Sequence, residues 1–169
     1  FFIDDVAYQV ILEDLGDSTL YDSYSGNKEA ALVHYPQAIR LLLDLQSRIY
    51  QSHRESPDIV STIFGKNELR WETKYFTQFF LESYRGQKMD GGVSSQLFRE
   101  FDSLANSVSQ HPKTIMHRDF QSQNLMVHLG ELRVIDYQGS RLGSQYYDLA
   151  SLLLDPYTDL SRDSVEKLF

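Results

Sequence analysis

The sequence predicts an α+β fold that is mainly helical, and three observations carry the prediction. Three segments place apolar residues at three- and four-residue steps, as amphipathic helices do. One short stretch near the start alternates apolar and polar residues, the period of a strand. Two apolar runs flank a turn at Gly130, the pattern of a small hairpin.

Tyr8, Val10 and Leu12 alternate with Ala7, Gln9, Ile11 and Glu13, which predicts a strand running into Asp14-Leu15-Gly16-Asp17. Residues 28–51 read as a helix with Ile39, Leu42, Leu43, Gln46 and Ile49 inward and Arg40, Asp44, Ser47 and Arg48 outward. Pro36 marks the first turn of its strongly periodic part, where no backbone N–H is needed, or a kink if helix precedes it. A second helix spans Asn67 to Tyr84 and stops near Gly86, a residue free to take the left-handed conformation. Its aromatic face, Trp71, Tyr75, Phe76, Phe79, Phe80 and Leu81, is expected to be packed for the most part. Gly86 to Val93 reads as a loop. Ser94 or Ser95 then caps a third helix whose stripe is Leu97, Phe98, Phe101, Leu104, Ala105 and Val108. Gln110-His111-Pro112 ends it and leads to a strand at Thr114. The hairpin strands are Leu125 to Val127 and Leu132 to Ile135. Leu149, Ala150, Leu152, Leu153 and Leu154 predict a buried helix that ends before Pro156, with Asp148 as its N-cap. The final residues read as a helix still in progress at Phe169.

A chain of 169 residues that is 41% hydrophobic and 24% charged suits one globular unit. No apolar stretch approaches the ~20 residues of a membrane helix, so no membrane partner is expected. The formal charge of −8 argues against a nonspecific nucleic-acid partner. With no cysteine, disulfides, thiolate metal sites and a cysteine nucleophile are excluded, and a cytoplasmic location fits. His34, His53, His111 and His128 show no metal-ligand spacing.

The chemistry concentrates in Thr114 to Gly139, TIMHRDFQSQNLMVHLGELRVIDYQG. His117, Arg118, Asp119 and Asn124 fill the pattern HRDxxxxN, a spacing used in phosphoryl transfer. In that pattern the aspartate orients or deprotonates the acceptor hydroxyl, and the asparagine holds a magnesium ion. The hairpin returns the chain so that Asp136 lies beside Asn124. One amide and one carboxylate, with phosphates and waters, supply the oxygen ligands that a hard cation takes. Asp119 is thus the candidate catalytic group, Asn124 and Asp136 the candidate metal ligands, and ATP with Mg2+ the implied cofactors. The loop holds no lysine, which leaves more of the charge balance to magnesium.

These motifs resemble the catalytic segment of the aminoglycoside phosphotransferase and choline kinase superfamily, which is related to protein kinases. HRDFQSQNLMV followed by VIDYQGSRLGSQYYDLASLLLDPY is most similar to the bacterial branch that contains the N-acetylmuramate/N-acetylglucosamine anomeric kinases. The resemblance is detailed over residues 114–157 and coarse over most of the chain. It implies a protein-kinase-like fold, with residues 1–17 as the last strand of an N-terminal lobe plus the hinge, and 18–169 as the helical C-terminal lobe. Glu13, Asp14 and Leu15 would border adenine. His117 would pack beneath the catalytic loop, and Asp148 would buttress its backbone. Trp71, Glu72 and Tyr75 would face a sugar-like acceptor, and Gln121 and Gln123 would contact the γ-phosphate or that acceptor.

A protein kinase is excluded by a count. Only eleven residues separate Asp136 from Asp148, with no APE sequence between them, too few for an activation segment. The acceptor is therefore a small molecule. The phosphate-covering glycine loop and its partner lysine do not occur before the hinge, so the segment is expected to be truncated at both ends and weakly active or inactive by itself. The rival readings are an aminoglycoside kinase, which many acidic side chains around the acceptor would favour, and a noncatalytic kinase-like binding module.

Overall fold

A set of helices and three two-stranded antiparallel sheets make up the fold, and the main apolar core joins helices to the central one of those sheets. The computed structural model describes residues 2–4, 9–55 and 62–168. The first sheet pairs β1 (Phe2–Asp4) with β2 (Gln9–Ile11). The predicted strand is thus present at residues 9–11, with Tyr8 outside the described residues, while β1 has no counterpart in the sequence reading.

From β2 the chain runs through Glu13–Leu15 to Gly16, whose φ of +76° makes the turn. Ser18 and Thr19 then pair with the edge of the central hairpin: the Val127 N–H donates to Ser18 O at 2.8 Å, and Thr19 bridges Met126. Thr19 caps α1 (Leu20–Gly26) through a reciprocal box with Asp22. A single turn, α2 (Lys28–Ala31), leads to α3 (His34–Glu55), with Pro36 in its first turn as expected. The inner stripe of α3 is Tyr35, Ala38 and Leu42, at steps of three and four, with Leu41 and Leu45 packed beside it. Leu43, expected inward, is 59% exposed, because the buried stripe begins at Tyr35 and turns that position outward.

The second long helix begins at Lys66 and changes character midway. α4 (Lys66–Tyr75) continues as a π-helix over Phe76–Tyr84. The buried Thr77 hydroxyl bonds the Thr73 carbonyl at 2.8 Å, and the Ser83 hydroxyl bonds Gln78 O at 2.8 Å. Side chains that bond the carbonyl ladder in this way bend helices. Gly86 (φ +63°) ends the element as expected.

α5 (Gly91–Ser109) begins earlier than expected, since Asp90, rather than Ser94 or Ser95, is the N-cap and accepts from the Val93 N–H at 2.8 Å. Both glycines of the expected loop therefore lie inside the helix. Of its predicted stripe, Ala105 is buried, Leu97, Phe98, Phe101 and Val108 are half-buried, and Leu104 faces out.

β3 (Lys113–Met116) pairs with β6 (Arg141–Ser144), and between them β4 (Leu125–His128) and β5 (Glu131–Val134) form the predicted hairpin. Leu129 and Gly130 both have positive φ, the geometry of a tight hairpin turn. Residues 62–64 add to the edge of β6, through Phe64 N–H to Leu142 O at 2.7 Å and Leu142 N–H to Thr62 O at 3.0 Å. α6 (Tyr147–Leu153) and α7 (Arg162–Glu166) complete the chain. α7 stops at Glu166 instead of continuing to the last residue, and Phe169 lies outside the described residues. Leu20, Tyr24, Tyr35, Leu42, Phe120, Leu125, Leu132 and Leu152 form the common core, so the catalytic-loop candidate is rooted in the main hydrophobic cluster.

Candidate active site

The HRDF segment is buried at its two ends and open between them, and that pattern shapes the loop. His117 and Phe120 are buried, Arg118 is half-buried, and Asp119 is exposed between them. Phe120 is anchored in the core beneath Asp119, while Arg118 takes a left-handed φ of +81°. Such a conformation in a non-glycine residue costs energy and persists only where its surroundings fix it.

The fixing groups are two buried carboxylates, one near each end of α6. Asp148, 1% exposed, accepts the His117 N–H at 2.6 Å and the Arg118 N–H at 2.9 Å. Asp155, 2% exposed, accepts the Ser122 N–H at 2.7 Å and the Tyr157 N–H at 2.9 Å. The loop is held at both ends, with Phe120 as a third anchor. Asp148 is therefore not the N-cap of α6; Tyr146 holds that position, and the Asp148 side chain turns to the loop instead. Burial raises the Asp148 pKa, against the lowering effect of its two backbone donors. Asp155 escaped the sequence reading, although an aspartate just beyond a buried helix and next to proline was the available signal.

His117 joins this loop to the hairpin. Its Nδ1 accepts the Asp119 N–H at 3.3 Å, and its Nε2 lies 2.9 Å from the Ile135 carbonyl. Because a carbonyl only accepts, the proton sits on Nε2 and the ring is neutral. The Ile135 N–H in turn donates to Asn124 O at 3.1 Å, which places Asp136 next to the residue paired with Asn124. Asp136 has a left-handed φ of +65°, and its carboxylate accepts from Gln138 Nε2. Asn124 Nδ2 donates to Asp119 O at 2.8 Å, which leaves the amide oxygen as that side chain's remaining polar atom. An amide oxygen and an exposed carboxylate fit a magnesium ion held together with phosphate and water oxygens. Among the described residues no group of three or more His, Cys, Asp or Glu is placed to hold a metal by itself.

Glu13 and Asp14 are exposed and Leu15 is half-buried, in the segment that leads to the pairing of Ser18 and Thr19 with β4. Gln121 and Gln123 are half-buried, and their side chains bond no protein group among the described residues. The three aromatic-helix candidates diverge. Trp71 is 62% exposed and lines a cleft of about 420 Å³ with Phe64, Asn67, Glu68, Arg118 and Arg141. Glu72 accepts the Tyr147 hydroxyl at 2.8 Å, and burial raises the pKa of both groups. Arg118 and Asp119 also act electrostatically on Glu72, in opposite directions. Tyr75 stacks between Trp71, at 5.5 Å, and Phe79, at 4.4 Å. Asp119, Asn124 and Asp136 are not among the residues lining the cleft.

The packed aromatic face expected of this helix is not formed. Tyr75, Phe76, Phe79, Phe80 and Tyr84 remain exposed and stack along the helix in two ladders. The side turned to α5 is mixed: Arg70 pairs with Asp102 at 2.6 Å and lies over Phe98 and Phe101, the Phe76 ring meets Phe101 edge-on at 6.3 Å, and Thr77 is buried.

With this geometry in view, the sequence defines its class: the phosphotransferase enzyme family (APH) matches over residues 10–167, and the chain belongs to that family. Among curated proteins it is similar to the N-acetylmuramate/N-acetylglucosamine kinase of Neisseria meningitidis serogroup B, 26% identical over 156 residues, 92% of this chain and 45% of that protein. It is likewise similar to the kinases of the same name from Pseudomonas aeruginosa (26% identical over 151 residues, 88% of this chain and 41% of that protein) and Pseudomonas putida (26% over 157 residues, 93% and 44%). The chain spans less than half the length of these relatives. No helix among the described residues is long and apolar enough to cross a membrane.

Proposed function

We propose that this chain is the catalytic-loop lobe, with its bordering strand and hinge, of a kinase-like, ATP- and magnesium-dependent phosphotransferase that acts on a hydroxyl of a sugar or amino sugar. The observation that carries the reading is the bond sequence linking Asp119 to Asn124 and, through His117 and Ile135, to the residue before Asp136. It links the backbone segments that carry the two acids and the amide, which supports a reaction governed by positioning.

Asp119 aligns the acceptor hydroxyl and receives its proton as the new bond forms. Asn124 and Asp136 would hold the nucleotide's magnesium, which supplies neutralising charge to the phosphates. Glu13, Asp14 and Leu15 border adenine, Gln121 and Gln123 face the transferred group, and Trp71, Glu72 and Tyr75 lie toward the acceptor. The curated relatives' sugar substrates support the acceptor class. The cleft beside Trp71 carries two arginines and one glutamate, a lining that suits a neutral or anionic sugar better than a polycationic aminoglycoside. A cytoplasmic setting fits a chain without cysteine.

The test is ADP release by the full-length natural gene product with Mg-ATP against panels of N-acetyl sugars and of aminoglycosides. Turnover is expected with the former, and D119N should lower it roughly 10²- to 10⁴-fold. Turnover with aminoglycosides alone would overturn the sugar assignment, and an unaltered rate in D119N would overturn the site.

A further inference from the structure

We propose that Arg118 and Arg141 form an oxyanion subsite in the cleft beside Trp71, and that it reads an acidic substituent on the acceptor sugar. The inference rests on the acceptor class proposed above and specifies it further.

Arg118 reaches the cleft from the catalytic loop, with its guanidinium carbon 5.2 Å from the centre of the Phe64 ring. Neither Arg118 nor Arg141 forms an ion pair among the described residues. Arg118 Nε is buried without a hydrogen-bond partner. Arg141 uses Nη1 for the carbonyls of Gly139 and Ser140, at 3.2 and 2.8 Å, and among the described residues no bond involves its other nitrogens. Gly139 lies by both: a Cβ there would be 3.7 Å from Arg118 Nη1.

Two guanidinium groups therefore line one cleft within a chain of net charge −8. The carboxylate in the lining, Glu68, is committed to the Gly65 N–H at 2.8 Å, and Glu72, which feels Arg118, is hydrogen-bonded to Tyr147. The site has spare positive charge and spare donors in a planar arrangement that suits carboxylate or phosphate oxygens. Trp71 on the cleft wall gives a sugar ring a face to lie on, which favours a carboxylate carried by the acceptor over a nucleotide phosphate.

The experiment compares N-acetylmuramate with N-acetylglucosamine, which lacks the carboxylate, using the full-length natural protein and its R141Q and R141K variants. Binding without nucleotide is read by calorimetry, and KM for each sugar and for ATP by kinetics. R141Q should weaken N-acetylmuramate roughly tenfold or more relative to N-acetylglucosamine, as the loss of a charge-assisted contact does, and R141K should recover part of the preference. An equal loss for both sugars would show a merely structural role and overturn the subsite. A rise confined to the KM for ATP would assign the arginines to a nucleotide phosphate and overturn it as well. Nucleotide-free binding separates the two claims, since a protein that binds the acid sugar through Arg141 but transfers no phosphate refutes the proposed function and not the subsite.

Discussion

The HRDF loop and the aromatic helix are held by opposite means. Residues 117–124 are short and irregular, yet buried carboxylates, a neutral imidazole and a core phenylalanine fix them. Residues 66–84 form a long regular element with no buried side chain except Thr77, and their rings stack mainly on one another. Regular secondary structure is thus no guide to rigidity here. Precision is built where backbone N–H groups without strand or helix partners are met by buried acceptors, because leaving such groups unpaired is costly.

The contrast is most easily broken at Asp148. Replacement by alanine leaves the His117 and Arg118 N–H groups buried without acceptors, and it should destabilise the protein by about 2–5 kcal/mol. D155A, which strands the Ser122 and Tyr157 N–H groups, should cost about 2–4 kcal/mol. Urea denaturation measures both. Losses under about 1 kcal/mol, the scale of one ordinary hydrogen bond, would mean that the loop is held by Phe120 alone and that the carboxylate clamps are incidental.

Gly143 tests how tightly the sheet beneath the loop is packed. A Cβ at this position would fall 2.1 Å from Met116 Sδ and 3.4 Å from Phe64 Cβ, and Met116 is fully buried. G143A must displace a core side chain and should cost about 1–3 kcal/mol, read as a lower urea midpoint. At the other extreme, F79A removes one exposed ring from the ladder and should cost about 1 kcal/mol or less, the scale of a ring–ring contact. A cost above about 3 kcal/mol, the range of a buried phenylalanine, would show that the ladder is structural core after all.

The same contrast explains what could be read from sequence. HRDxxxxN, the hairpin about Gly130 and Asp136 were legible because their spacing is set by local chemistry, and the structure joins these elements by short bonds. The helices were legible as helices, since period survives without knowledge of neighbours. Which face is covered was not. Leu43, Leu104 and the rings after Trp71 are apolar at helical spacing, but coverage depends on which element packs against them, and α5 packs on the Arg70 side and reaches the rings at Phe76. The Asp90 cap was hidden by Gly91-Gly92, which signals a loop, and Asp155 by having no motif of its own.

Glu72 ties the aromatic helix to α6, the helix whose Asp148 holds the loop, by accepting a hydrogen bond from Tyr147. Burial raises its pKa above the ordinary 4.5, with Asp119 adding to the rise and Tyr147 and Arg118 opposing it. A carboxyl raised in the folded state binds its proton more tightly there than in the unfolded chain. Its favourable contribution is complete below pH 4.5 and is lost as pH rises through the folded value. Glutamine at this position keeps an oxygen for Tyr147 and carries no charge, so E72Q should match the wild type most closely in acid and gain on it as pH increases. Urea midpoints of the two proteins, followed from acid through neutral pH, give the difference directly. A constant gap across that range would mean that Glu72 titrates as it does in the unfolded chain, and that the joint between α4 and α6 carries no buried charge.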